Sequence, residues 1–201
     1  AGRTDAGVHA IAQSAHADLP ESRLTADRWV TALNGSLPLT IRVMQSRFVT
    51  EAFHARFSAK GKVYRYRVWN DRILPPLEVG RAWHVPLPLD LEKMRREAEL
   101  FVGRHDFASF AANRGKPDED TIRTIDSAKL RQRSKQLELE VSGDGFLYKM
   151  VRLMVGALVR SAAGKSAEGE IEERLVNPRR LLVKARFVAP ADGLYLVRVR
   201  Y

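Results

Sequence analysis

The cleanest two-residue alternation in the chain lies at residues 62–69, Lys-Val-Tyr-Arg-Tyr-Arg-Val-Trp. It predicts a strand with Tyr64, Tyr66 and Val68 on one face and Val63, Arg65, Arg67 and Trp69 on the other. Leu137, Leu139 and Val141 predict an inward-facing row on a second strand, with another strand before it in residues 121–130. The tail, 194–201, predicts a final strand. Tyr195, Val197, Val199 and Tyr201 share one of its faces, and Leu194, Leu196, Arg198 and Arg200 the other. Residues 40–49 read as a further strand, with Ile41 and Val43 opposed to Arg42 and Met44, and residues 8–17 as a strand leaving the opening loop.

Helical spacing marks three other segments. Leu24, Trp29, Val30 and Leu33 recur loosely over 22–34, and turn chemistry follows in 34–38 (Asn-Gly-Ser-Leu-Pro). Asp90 is placed as an N-cap, with Glu92 in the first turn, for a helix carrying Met94, Ala98 and Phe101 at i, i+4 and i+7 and ending on Gly103. Gly145 precedes a helix over 146–162, where Met150, Val151, Leu153 and Met154 surround Arg152. Residues 53–59 read as a linker, 70–76 as a turn and loop, and 113–120 as an exposed polar loop. Strands and helices intermixed by short connections predict an α+β fold. Its sheet is antiparallel, with helices on one side and a free face of the kind that RNA-binding sheets use.

Composition narrows the class. The chain has 201 residues, 45% hydrophobic and 29% charged. That is one or two domains, long enough to bury a core without a disulfide or a metal staple. The absence of cysteine excludes thiol nucleophiles, disulfides, iron–sulfur clusters and Cys-ligated zinc, and fits a reducing, cytoplasmic setting. Lys plus Arg outnumber Asp plus Glu by 34 to 24, a net charge of +10, which points to a polyanionic partner, nucleic acid above all. The most apolar stretch, Met150–Ala163, contains Arg152 and Arg160 and is too short to span a bilayer, so no membrane association is expected.

Several chemistries find no support. Gly164-Lys165-Ser166 resembles the end of a phosphate-binding loop, but position 159 is Val where the motif needs Gly, and a helix precedes it rather than follows. The five histidines, His9, His16, His54, His84 and His105, form no close ligand pair, so no metal is expected. No serine sits in a Gly-x-Ser-x-Gly context. Gly2-Arg3-Thr4-Asp5-Ala6-Gly7-Val8-His9 is different: glycines bracket one carboxylate, with an arginine two residues before it. On composition alone this is either a solvated turn in which Asp5 caps a backbone N–H or a loop built for close ligand approach.

That run resembles the active-site motif of the tRNA pseudouridine synthase A family. The resemblance continues in order through Asn34, Leu37-Pro38, Phe53-His54-Ala55-Arg56-Phe57-Ser58-Ala59, Tyr64-Arg65-Tyr66, His105 to Phe110, Arg123-Thr124-Ile125, Gly145 to Arg152 and Gly193 to Val197. It covers nearly the whole chain. It implies a pseudouridine synthase fold, two similar α/β halves with mainly antiparallel sheets joined across a central cleft. Here residues 1–52 would be the N-terminal half-domain carrying the catalytic loop, and 53–201 the half that completes the site. Members carry an additional strand and helix ahead of the Gly-Arg-Thr-Asp motif, so upstream residues are expected.

The resemblance also implies an activity. Family members isomerise uridine to pseudouridine in the anticodon stem-loop of tRNA, without cofactor or metal, as homodimers. Asp5 matches the catalytic carboxylate, acting as nucleophile or base, and Arg152 the arginine that pairs with it. Tyr64 matches the tyrosine that stacks on the target base and serves proton transfer at C5. Leu194 matches the apolar residue on the other side of the base, and Gly193 beside it joins the substrate-binding set. Arg3 matches the arginine that fills the space left by a flipped-out uridine. Arg56, Arg65, Arg67 and the cations of 113–120 are candidates for phosphate contacts. Phe107, Phe110 and Phe146 are expected in the core. The alternatives are a non-catalytic RNA-binding module on the same scaffold, or pseudouridylation of another RNA.

Overall fold

The computed structural model describes residues 2–19, 24–112, 120–178 and 187–201. They form two compact units: residues up to Gln13 together with Ala59–Tyr201, and Ser14–Ser58.

The larger unit is α+β. Its strands are β1 (His9–Ala10), β2 (Gly61–Trp69), β3 (Trp83–His84), β4 (Gly103–Asp106), β5 (Ile122–Arg133), β6 (Gln136–Gly143) and β7 (Leu194–Arg200). They make one sheet in the order β1-β7-β2-β6-β5-β4, with β3 added to β2. The pairings are antiparallel except β1 with β7 and β2 with β3. β2 lies inside the sheet, paired along its two edges with β6 and β7. Tyr64, Tyr66 and Val68 lie opposite Val141, Leu139 and Leu137 of β6, and Tyr64 and Tyr66 lie opposite Leu196 and Leu194 of β7. This apolar row is the floor of the core.

Two helices cover it. α2 (Leu91–Glu99) starts where the Asp90 carboxylate accepts from the Lys93 N–H at 2.9 Å, and it buries Met94 and Ala98. α3 (Met150–Ala162) is sunk in the core, with Met150, Val151, Leu153, Met154, Val155, Leu158 and Val159 all buried. α2 packs on α3 and β5, and α3 also reaches β2. Phe101, Phe107 and Phe110 are fully buried, with Phe101 and Phe110 edge to face at 5.1 Å. Phe146 packs against the edge of this core, half-buried and edge-on to Tyr64 at 5.0 Å; residues 146–149 precede the helix rather than belong to it. The helix expected over 146–162 therefore begins at Met150, after Lys149 takes a left-handed φ of 59°.

Other expectations are corrected in detail. Gly103 does not end α2. Leu100 does, and Gly103, at φ +116°, opens β4. The strand leaving the opening loop is confined to His9–Ala10. β3, β4 and α4 (Glu170–Val176) carry no alternation or spacing long enough to read, and each is set by its packing partners. The loop expected over 113–120 lies, but for Asp120, outside the described residues.

The smaller unit holds α1 (Ala26–Ser36), capped by Thr25, which extends through Asn34 and Gly35 where a turn was expected. Residues 40–49 are not a strand. No second strand lies beside them among the described residues of this unit, and Ile41, Met44 and Phe48 are 55%, 84% and 68% exposed. Their order comes instead from Asn34, whose side-chain amide donates to the Val43 carbonyl and accepts from the Val43 N–H, both at 2.8 Å. Residues 53–59 are a turn organised by His54, whose Nδ1 accepts from the N–H groups of Arg56 and Phe57 at 3.2 and 3.1 Å.

Candidate active site

The loop that carries Asp5 is tight for a sequence reason. The Val8 N–H donates to the Asp5 carbonyl at 3.1 Å, and Gly7 takes φ +79° to close that turn. A Cβ at Gly7 would stand 3.2 Å from the Ala191 Cβ, so a larger residue would meet both backbone strain and a neighbour. The turn is then anchored to the sheet. His9 pairs with Tyr195 of β7, stacks on its ring at 4.6 Å, and its Nε2–H donates to the Gly80 carbonyl at 2.8 Å.

The Asp5 carboxylate meets Arg152 from the first turn of α3, with Nη1 to Oδ2 at 3.6 Å. The two side chains are 28% and 13% exposed, so the pair is shielded yet reachable by a ligand. The guanidinium is held from behind: Arg152 Nε–H donates to the Ala189 carbonyl at 2.7 Å. Ala189 N–H returns a bond to the Arg152 carbonyl at 3.1 Å. The neighbouring Pro190 carbonyl accepts from the Tyr66 hydroxyl at 2.7 Å.

Tyr64 completes the group. Burial first, and the Asp5 charge second, push its phenol above the usual tyrosine range, so it stays neutral at ordinary pH. Tyr66 is pushed up as well, burial again the largest cause. Leu194 is buried on β7, opposite Tyr66. Gly193 is buried too. A Cβ there would lie 2.6 Å from Tyr66 Cε1 and 2.7 Å from the Arg67 carbonyl, so its glycine is explained by close packing on β2. Arg3 is exposed on the approach to the loop. Arg56 belongs to the smaller unit, exposed, with its guanidinium 5.3 Å from the Phe57 ring centre.

Arg65 and Arg67 turn to the opposite sheet face from Tyr64, as the alternation predicts. There Arg65 pairs with Glu140 and Arg67 with Glu78, each at 2.9 Å. Sequence reasoning missed Tyr66, Ala189 and Pro190 as parts of the site. Two of them act through backbone carbonyls, which carry no side-chain signature.

Arranged in this way, the site offers a carboxylate beside a fixed cation, a neutral phenol and an apolar wall. A sequence profile described as tRNA pseudouridine synthase matches residues 98–201. A protein of Akkermansia muciniphila named tRNA pseudouridine synthase A is 46% identical over 206 residues, taking in 100% of this chain and 77% of that protein. The chain belongs to the tRNA pseudouridine synthase family. Proteins with the same name from Methylacidiphilum infernorum and Bacillus licheniformis are 43% and 41% identical, each across 100% of this chain and 78% and 79% of their own lengths. This tRNA pseudouridine synthase family is one of isomerases. The profile takes in Arg152, Gly193 and Leu194. Asp5 and Tyr64 fall in the further length shared with these synthases. No helix among the described residues is long and apolar enough to cross a membrane.

Proposed function

We propose that the protein converts uridine to pseudouridine in the anticodon stem-loop of tRNA, with Asp5 as the catalytic carboxylate. The observation that carries this reading is the shielded Asp5–Arg152 pair with Tyr64 beside it. Arg152 sets a positive charge 3.6 Å from the Asp5 carboxylate. Asp5 acts as nucleophile, its bond to the substrate breaking again before product leaves, or as base toward the ribose, while the N1–C1′ bond breaks. The freed uracil turns between Tyr64 and Leu194, and C5 bonds to C1′. One proton leaves C5 and one is gained at N1, so the product is an isomer of the substrate and the reaction consumes no electrons and needs no cofactor.

With its phenol raised, Tyr64 is a stacking surface first; it takes part in proton transfer at C5 only as a neutral hydroxyl. A uridine within a stem must leave the stack, which costs a few kcal/mol. Arg3, exposed at the loop, is suited to fill the vacated space. Arg56 and Gly193 belong to the substrate-binding set in this reading, Arg56 toward phosphate and Gly193 by letting β7 and Leu194 pack closely on Tyr66. The same reading has the enzyme acting in the cytoplasm as a homodimer. Two chains of +10 each would present about +20 to the tRNA, enough to speed encounter at low salt.

Site mapping tests the assignment. An unmodified tRNA transcript is incubated with the protein or with Asp5→Asn, treated with carbodiimide, and read by primer extension. New stops confined to the anticodon stem-loop, and absent with Asp5→Asn, are expected. Stops elsewhere only, or stops that survive Asp5→Asn, overturn the reading.

A further inference from the structure

Arg152 does not reach Asp5 by its own rotamer alone. Its backbone and its side chain are both tied to Ala189, a residue far along the chain. The Nε–H goes to the Ala189 carbonyl at 2.7 Å, and the Ala189 N–H goes to the Arg152 carbonyl at 3.1 Å. With Nε fixed, the planar guanidinium has one edge left for a second partner, and that edge, through Nη1, faces Asp5 at 3.6 Å. The direction of the cation is therefore the direction of the Ala189 carbonyl.

The segment that carries this carbonyl is in turn held by β2. Ala189 is fully buried, and the next peptide carbonyl, Pro190, accepts from the Tyr66 hydroxyl at 2.7 Å. Proline has no N–H, so residue 190 cannot join a backbone ladder as donor. Its carbonyl can still accept, and the Tyr66 hydroxyl, donating to it, registers the segment. Tyr66 is itself fully buried, and its ring is braced against Gly193, where no Cβ fits. The ring cannot swing, so its hydroxyl is a fixed point.

We infer that Tyr66 is a positioning residue for the isomerisation, acting through the Ala189–Pro190 segment to aim the Arg152 guanidinium at Asp5. It touches neither substrate nor reacting atoms in this scheme; Tyr64, two residues earlier on the same face, does. The inference rests on the reading of Asp5 and Arg152 as the catalytic pair.

A double-mutant cycle on kcat tests it, using Tyr66→Phe, Arg152→Lys and the double variant with saturating tRNA. Arg152→Lys keeps a cation but loses the Nε–H that reads the Ala189 carbonyl. Tyr66→Phe is expected to lower kcat about 10- to 100-fold, the scale of a small misplacement, with the tRNA dissociation constant unchanged. In the Arg152→Lys background it should lower kcat no further. Losses that multiply in the double variant, or a Tyr66→Phe enzyme with parental kcat, overturn the inference.

A second readout needs no activity. In [15N]arginine-labelled protein the Arg152 Nε–H resonance, identified by its loss in Arg152→Lys, should exchange slowly with water in the parent and faster in Tyr66→Phe. Fast exchange already in the parent overturns the inference even if Tyr66→Phe does not fold. Slow exchange in an enzyme whose Asp5→Asn variant stays active would instead sink the catalytic reading and leave the clamp standing.

Discussion

Gly193→Ala puts one methyl group into the most constrained point near the site. The added Cβ would sit 2.6 Å from Tyr66 Cε1, 2.7 Å from Tyr66 Cζ and 2.7 Å from the Arg67 carbonyl oxygen. None of these can yield cheaply. The ring is fully buried and hydrogen-bonded to Pro190, and the carbonyl belongs to the central strand. Ordinary van der Waals contact needs about 3.5 Å, so the β2–β7 backbones must part by several tenths of an ångström or more. Overpacking of this kind costs about 1–3 kcal/mol. In a chain of this length each kcal/mol moves the melting temperature by about 2–4 °C, so a fall of about 2–12 °C is expected by calorimetry. Because Gly193 braces Tyr66 and precedes Leu194, kcat should fall as well. Gly35→Ala is the matched control: a Cβ there meets nothing within 4 Å, and Gly35 is helical in α1. It should leave activity intact and stabilise by up to about 1 kcal/mol. Parental melting and parental kcat for Gly193→Ala would refute the packing argument.

Phe110→Ala empties part of the aromatic cluster and should cost about 3–5 kcal/mol, read as a urea midpoint shift, without changing tRNA affinity in the folded fraction. Alkaline stability should report the two tyrosines. Both phenols are raised in the folded state, so the folded protein keeps protons that the unfolded chain releases near pH 10. Their contribution is full below about pH 10 and declines above it, so denaturation midpoints should fall on going from about pH 9 to pH 11, less steeply in Tyr64→Phe; equal slopes would contradict this. Arg3→Ala removes an exposed residue that contributes nothing to the core, so melting should be unchanged. Turnover of a stem uridine should nevertheless drop by about 10- to 100-fold if the side chain stacks in the vacated space.

What could be read from the sequence was decided by long patterns and by one dense motif. The alternation through Tyr64, Tyr66 and Val68 specified β2 and the face it buries, and Met94, Ala98 and Phe101 specified the inner face of α2. Residues 40–49 show the limit: their alternation is as good as that of β7, but a strand exists only where a neighbour completes its ladder. β3 and β4 illustrate the converse, since they are short and exist because β2 and β5 offer edges to pair with. At the candidate site, the family motifs pointed to Asp5, Tyr64 and Arg152, and the fold brings these three together. Tyr66 was not distinguishable from a core aromatic, and Ala189 and Pro190 act through carbonyls that every residue possesses. Arg65 and Arg67 are the instructive pair. Their charge invited a phosphate contact, but the carboxylates of Glu140 and Glu78 are brought to them from β6 and from the loop after β2, which only the fold reveals.

Counting C5 substitution tests the central claim most directly. Transfer RNA labelled with [5-³H]uridine is incubated with the protein and with Asp5→Ala at moderate salt, and released tritium is measured alongside tRNA binding. The account predicts release by the unaltered protein, none by Asp5→Ala, and tRNA binding by both. Release that survives Asp5→Ala, or none from either while both bind tRNA, would contradict it.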